Sequence, residues 1–115
     1  MANPARPEPG VPLCAVDEIE NPGSKGFRFV VDEMHFAGFV VRNGDQVVGY
    51  VDRCPHQGMP LDILGRFLTP SGRYILCGVH GGTFKLTGEG IGSPCIGYDL
   101  LRWPVTVQDG MIVTA

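Results

Sequence analysis

Two short segments of this 115-residue chain carry side chains that can bind a metal. Cys54-Pro55-His56-Gln57-Gly58 offers a thiol and an imidazole as Cys-x-His. Cys77-Gly78-Val79-His80-Gly81-Gly82 offers the same pair as Cys-x-x-His. Residues 57–76 lie between His56 and Cys77. Thiolate and imidazole are soft and borderline donors, so four converging groups of this kind define a transition-metal site by ligand type.

The spacing bears on which metal. Zinc takes four tetrahedral ligands, and two Cys with two His supply them. Cys-x-His, however, is tight for two ligands closing on one ion. A two-iron cluster meets the same spacing differently, with each loop giving its Cys to one iron and its His to the other. Gly58, Gly78, Gly81 and Gly82 then let the backbone come close enough for amide N–H groups to face the sulfides. Two thiolates and two neutral imidazoles leave an oxidised cluster uncharged, two charges less negative than a four-thiolate cluster. Its potential accordingly lies in the range of about −150 to +300 mV.

The elements that must position these loops read as β. Gly (17) and Pro (10) are abundant, yet 43% of residues are hydrophobic and 18% charged. Such a chain can bury a core but cannot build a helical bundle. Strand-length apolar runs bounded by turn residues are predicted at 11–16, 26–31, 36–42, 46–52, 73–76, 83–86, 105–108 and 111–114. Asn43-Gly44 and Asp109-Gly110 predict tight hairpins with positive φ at both central residues. One helical turn near 61–66 is the most helix expected. The predicted fold class is all-β, with short antiparallel strands. Residues 1–10, with Pro4, Pro7 and Pro9, read as a flexible tail, and 11–115 as one domain. Residues 54–97 hold 10 of the 17 glycines, three of the four cysteines and two of the three histidines. They form its cluster-binding part.

Around the four candidate ligands, Cys-Pro-His-Gln-Gly and His-Gly-Gly-x-Phe resemble the signature of the Rieske-type [2Fe–2S] proteins. The Gly92-Ser93-Pro94 turn is similar to the proline-bearing loop of that family. The segment from Trp103-Pro104-Val105 to Asp109-Gly110-Met111-Ile112-Val113 is similar to its closing hairpin. The resemblance spans roughly 11–115. It implies an antiparallel β-sandwich or barrel with an inserted subdomain of two cluster loops. It implies one [2Fe–2S] cluster per chain, with Cys54 and Cys77 on the inner iron and His56 and His80 on the outer one. It also implies a one-electron carrier without catalytic residues of its own, like the ferredoxins of ring-hydroxylating dioxygenase systems. The partners so implied are a flavin-dependent NAD(P)H reductase and a terminal oxygenase. A small subunit resembling that of nitrite reductase is the alternative, and a zinc-bound interaction module a further one.

Departures from the high-potential members imply a low potential. Their disulfide between the cluster loops would need cysteines where Met59 and Val79 stand. Their Ser and Tyr hydroxyl donors correspond to Gly82 and Phe84. Restoring Gly82→Ser and Phe84→Tyr is expected to raise the potential. The tip formed by His56, Gln57, Met59, Pro60, Val79, His80 and Pro94 is the expected docking surface. Cys14 and Cys95 are expected as small buried apolar residues; a tuning role for Cys95, which follows the Pro94 turn, is the minor alternative. Trp103 is expected in the core and His35 on the surface.

The net charge of −3 and pI near 5.5 argue against nucleic-acid binding, which needs a basic face. No apolar run approaches the length of a membrane helix, and the opening residues show no signal-peptide pattern. The expectation is a cytoplasmic monomer.

Overall fold

A computed structural model describes residues 3–54, 61, 67–77, 81–93 and 95–115. Among these residues there is no α-helix. Eight strands form three antiparallel sheets. The strands are β1 (Pro12–Ala15), β2 (Gly23–Val31), β3 (Met34–Asn43), β4 (Gln46–Val51), β5 (Tyr74–Leu76), β6 (Thr83–Lys85), β7 (Val105–Gln108) and β8 (Met111–Thr114). The sheets run β1-β8-β7, β2-β3-β4 and β5-β6. The third sheet lies between β4 and β7 in the sequence, so it is an insertion into the framework of the other two.

The central strand β3 explains why two cores exist. Successive side chains of a strand point to opposite faces, and in β3 both faces are apolar. Phe39 and Val41 enter one core with Tyr50, Cys54, Leu61, Phe67, Ile75, Cys77, Phe84, Cys95 and Leu100. Phe36 and Val40 enter the other with Cys14, Ile19, Trp103 and Ile112. Trp103 anchors the second core as expected. Its ring meets Phe27, Phe29 and Phe36 edge-on at centroid distances of 5.3–6.2 Å. It also lies flat over β3 at Gly38, where a Cβ would stand 2.4 Å from the indole Cε3. The glycine that interrupts the apolar run of β3 is therefore the seat of the tryptophan.

The segment before β7 joins the sheets. The Trp103 N–H donates to the Gly49 carbonyl and the Val51 N–H to the Leu101 carbonyl, with Tyr50 bridged to Arg102. A short 3-10 turn at Val16–Glu18, absent from the sequence reading, follows β1. Arg42 Nη1 donates to the Val16 and Ile19 carbonyls and closes that turn onto β3.

The hairpins differ in detail from expectation. Asp109-Gly110 turns with both φ positive, as expected. At the β3–β4 turn the pairing Asn43↔Gln46 makes Gly44 and Asp45 the central residues, and of the two only Gly44 has positive φ. Glycine at the first central position is the II′ arrangement rather than I′. Asp32 and Glu33 form a tight turn with both φ positive, between Val31 and Met34.

Residues 3–10 are docked onto the second core rather than spread into solvent. Ala5 is only 2% exposed. Asn3 Nδ2 donates to the His35 carbonyl, the Gly10 N–H to the Thr114 carbonyl, and the Arg6 guanidinium lies over the Phe36 ring. Three prolines lower the entropy lost on ordering this segment, which favours docking. The turn expected near 61–66 falls outside the described residues, apart from Leu61. His35 is exposed.

Candidate metal centre

The first loop leaves the end of β4. Asp52 and Cys54 follow it directly and are buried. Asp52 Oδ1 accepts the Leu61 N–H at 2.8 Å, so one carboxylate ties the two ends of the 54–61 loop together. A buried N–H left without a partner costs about 1–3 kcal/mol, which makes Asp52 a positioning residue for Cys54. The sequence reading took it only as the end of a strand.

The second loop leaves β5. The Cys77 N–H donates to the Gly82 carbonyl, and the Cys77 carbonyl accepts the Gly81 N–H. These two bonds bring Gly81 and Gly82 back beside the Cys77 backbone at the entry to β6. Leu68 bridges to Ile75, and the Leu76 N–H donates to the Phe67 carbonyl, so β5 is held from both sides.

A third segment is tied to the start of β6. The Ile91 and Gly92 N–H groups both donate to the Thr83 carbonyl, and the Cys95 N–H to the Gly92 carbonyl. Cys95 is fully buried, with its Sγ 4.0 Å from Cys54 Sγ. Burial, aided by the neighbouring sulfurs of Cys54 and Cys77, pushes the Cys95 thiol up to about 12. Three sulfurs therefore converge in one core. Cys14 lies in the other core, where burial raises its thiol pKa, so Cys14 and Cys95 are not paired.

Tyr50 fastens this subdomain to the framework. It is buried, and its hydroxyl donates to the Leu86 carbonyl just beyond β6 at 2.6 Å. Desolvation raises its pKa, opposed by the Arg102 guanidinium over its ring. Nothing in the sequence marked Tyr50, because its partner is 36 residues away.

Of the four expected ligands, Cys54 and Cys77 come together in the same core. His56 and His80 lie outside the described residues, as do Gln57, Met59, Pro60, Val79 and Pro94 of the expected tip. Among the described residues no group of three or more His, Cys, Asp or Glu is arranged to hold a metal ion.

One expectation is corrected here. A Cβ at residue 82 would stand 2.3 Å from Cys95 Sγ. Gly82→Ser is not accommodated while Cys95 keeps its place, so that substitution alone does not restore a hydroxyl donor. Phe84 is fully buried in the same core and carries no donor.

The Rieske [2Fe-2S] domain family matches residues 10–104. The chain belongs to this family. The donor chemistry fits the cofactor in the family's name: two thiols are buried in one core, and in the sequence an imidazole follows them two and three residues later. Among solved structures, the Rieske domain described here is similar to the ferredoxin of carbazole 1,9a-dioxygenase from Nocardioides aromaticivorans IC177. The identity is 26% and the TM-score 0.66, covering 91% of this chain and 97% of that one. A chain from a complex of reduced oxygenase and oxidized ferredoxin in carbazole 1,9a-dioxygenase is 29% identical, with a TM-score of 0.69 and 91% of each chain covered. A Sphingomonas yanoikuyae B1 ferredoxin shares the fold at 24% identity and a TM-score of 0.66, covering 91% of this chain and 96% of that one. A search of curated proteins found no match. Among the described residues no helix is long and apolar enough to cross a membrane.

Proposed function

We propose that this Rieske domain carries single electrons from a flavin-dependent NAD(P)H reductase to a terminal oxygenase in the cytoplasm and has no reaction of its own. The observation that carries the reading is the joint one: a Rieske match over residues 10–104, with Cys54 and Cys77 buried in one core. Likeness over nearly the full length of a dioxygenase ferredoxin supports the choice of partner class.

When bound, the [2Fe–2S] cluster takes up and releases one electron. In this reading Cys54, His56, Cys77 and His80 hold it. Cys54 and Cys77 supply thiolates from inside the core, where Phe39, Leu61, Phe84 and Leu100 exclude water from their side. Asp52 holds Leu61 through its N–H, and Tyr50 ties β4 to Leu86 just beyond β6. A framework held in this way changes little on electron uptake, which keeps reorganisation small. Without a hydroxyl at residues 82 or 84, the potential is placed near the bottom of the Rieske range.

Stopped-flow mixing of the reduced protein with a ring-hydroxylating oxygenase tests the reading. The expected result is oxidation of the carrier that tracks oxygenase reduction. A protein that cannot be reduced by a flavin reductase, or that cannot pass the electron on, contradicts it. Met59→Asp is expected to slow the transfer several-fold while leaving the visible spectrum unchanged.

A further inference from the structure

We propose that Cys95 is a positioning residue for the redox reaction, donating its S–H to the Cys54 sulfur and thereby stabilising the reduced state. The inference rests on the reading of Cys54 and Cys77 as ligands of the cluster.

The geometry comes from three independent constraints. Cys95 Sγ is 4.0 Å from Cys54 Sγ, within reach of a sulfur hydrogen bond. Backbone hydrogen bonds hold the main chain of Cys95 in place, with Cys54 the nearer and Cys77 the second sulfur beside its thiol. The Cys95 N–H is held by the Gly92 carbonyl, its own carbonyl accepts the Tyr98 N–H, and Gly92 is pinned to Thr83. On the far side, Gly82 is the residue whose missing side chain makes the room, since any Cβ there would overlap Cys95 Sγ. Gly82 and Cys95 are thus complementary, and only one of the two positions can fill this space beside the ligands.

The chemistry follows from the donor inventory. A ligating thiolate sulfur can only accept. A buried thiol is a weak donor, and in Cys95 it faces an acceptor sulfur instead of water. Electron uptake makes the ligand sulfurs more negative, so a donor aimed at one of them favours the reduced form, and hydrogen bonds to the sulfurs are among the determinants of potential in such clusters. The net worth of one hydrogen bond corresponds to a several-fold change in an equilibrium constant. Cys95 adds no fifth ligand and passes no electron. It biases the equilibrium through Cys54.

The test is the midpoint potential of the loaded protein, compared with Cys95→Ala and Cys95→Ser. Alanine removes the donor, and the equilibrium constant for one-electron reduction should fall roughly three- to tenfold. At 59 mV per tenfold for a one-electron couple, that is about 30–60 mV downward. Serine keeps a donor of similar shape and should hold or raise the potential. Equal shifts in both variants would assign Cys95 to packing alone and overturn the proposal, as would no shift in either. If the alanine variant fails to load, wild type against Cys95→Ser decides, because the stronger O–H donor must not lower the potential. Wild-type protein that holds no iron would overturn the cluster reading itself, a different result from a loaded protein whose potential ignores Cys95.

Discussion

At the scale of single residues, position in space separates side chains that look alike in sequence. Cys14 and Cys95 are both buried, yet one lies in the Trp103 core and the other against Cys54. Asp52 is one of twelve acidic residues, and its carboxylate is spent on the Leu61 N–H. Asp52→Ala is expected to lower stability by about 1–3 kcal/mol, because it strands a buried donor, and to reduce iron content. Asp52→Asn keeps an acceptor oxygen and should lose less than half as much; urea denaturation and iron analysis check both. Gly82→Ser places a side chain on Cys95 Sγ. Overpacking of this kind costs about 1–3 kcal/mol, so the variant should load poorly, and adding Cys95→Ala should recover loading. Cys54 and Cys77 were singled out because motif spacing is local, and the fold brings both into one core. Asp52 and the fit of Gly82 to Cys95 were not, because each depends on a partner that the chain brings back only after folding.

At the scale of elements, the strands were read nearly to their ends because their apolar runs are bounded by turn residues. β7 and β8 have the predicted limits, while β2 and β3 extend further, to Gly23 and Asn43. The turns were legible only where glycine announced them. Asp109-Gly110 follows its signal, whereas Asp32 and Glu33 adopt positive φ without a glycine, held by nine paired positions of β2 with β3. Long pairing overrides local preference there. The docking of residues 3–10 was hidden for a similar reason, since its contacts are to His35, Phe36 and Thr114. The element-level prediction concerns Tyr50, which ties β4 to the chain beyond β6. Tyr50→Phe leaves the Leu86 carbonyl unpaired and should cost about 1 kcal/mol at neutral pH. The raised pKa of Tyr50 adds a sign. Stability from keeping it neutral is fully present below the unfolded value of about 10 and drains as pH rises through the folded value. The difference between wild type and Tyr50→Phe should therefore narrow above about pH 10 in denaturation profiles.

At the scale of the whole molecule, two framework sheets and one small inserted sheet share the work. The framework holds the Trp103 core and is stabilised without the metal ligands. The insertion brings the cysteines of two separate loops into the other core, against the opposite face of β3. Ten of the 17 glycines fall in residues 54–97, and at Gly82 the missing side chain makes room for Cys95 Sγ. The central claim is that Cys54, His56, Cys77 and His80 hold one two-iron cluster with mixed sulfur and nitrogen ligation. Pulsed EPR of the dithionite-reduced protein tests it most directly. The account predicts a red-brown protein with two irons per chain and a reduced-state signal coupled to the nitrogens of two imidazoles. A colourless zinc-containing protein, or a reduced signal without nitrogen coupling, would contradict it.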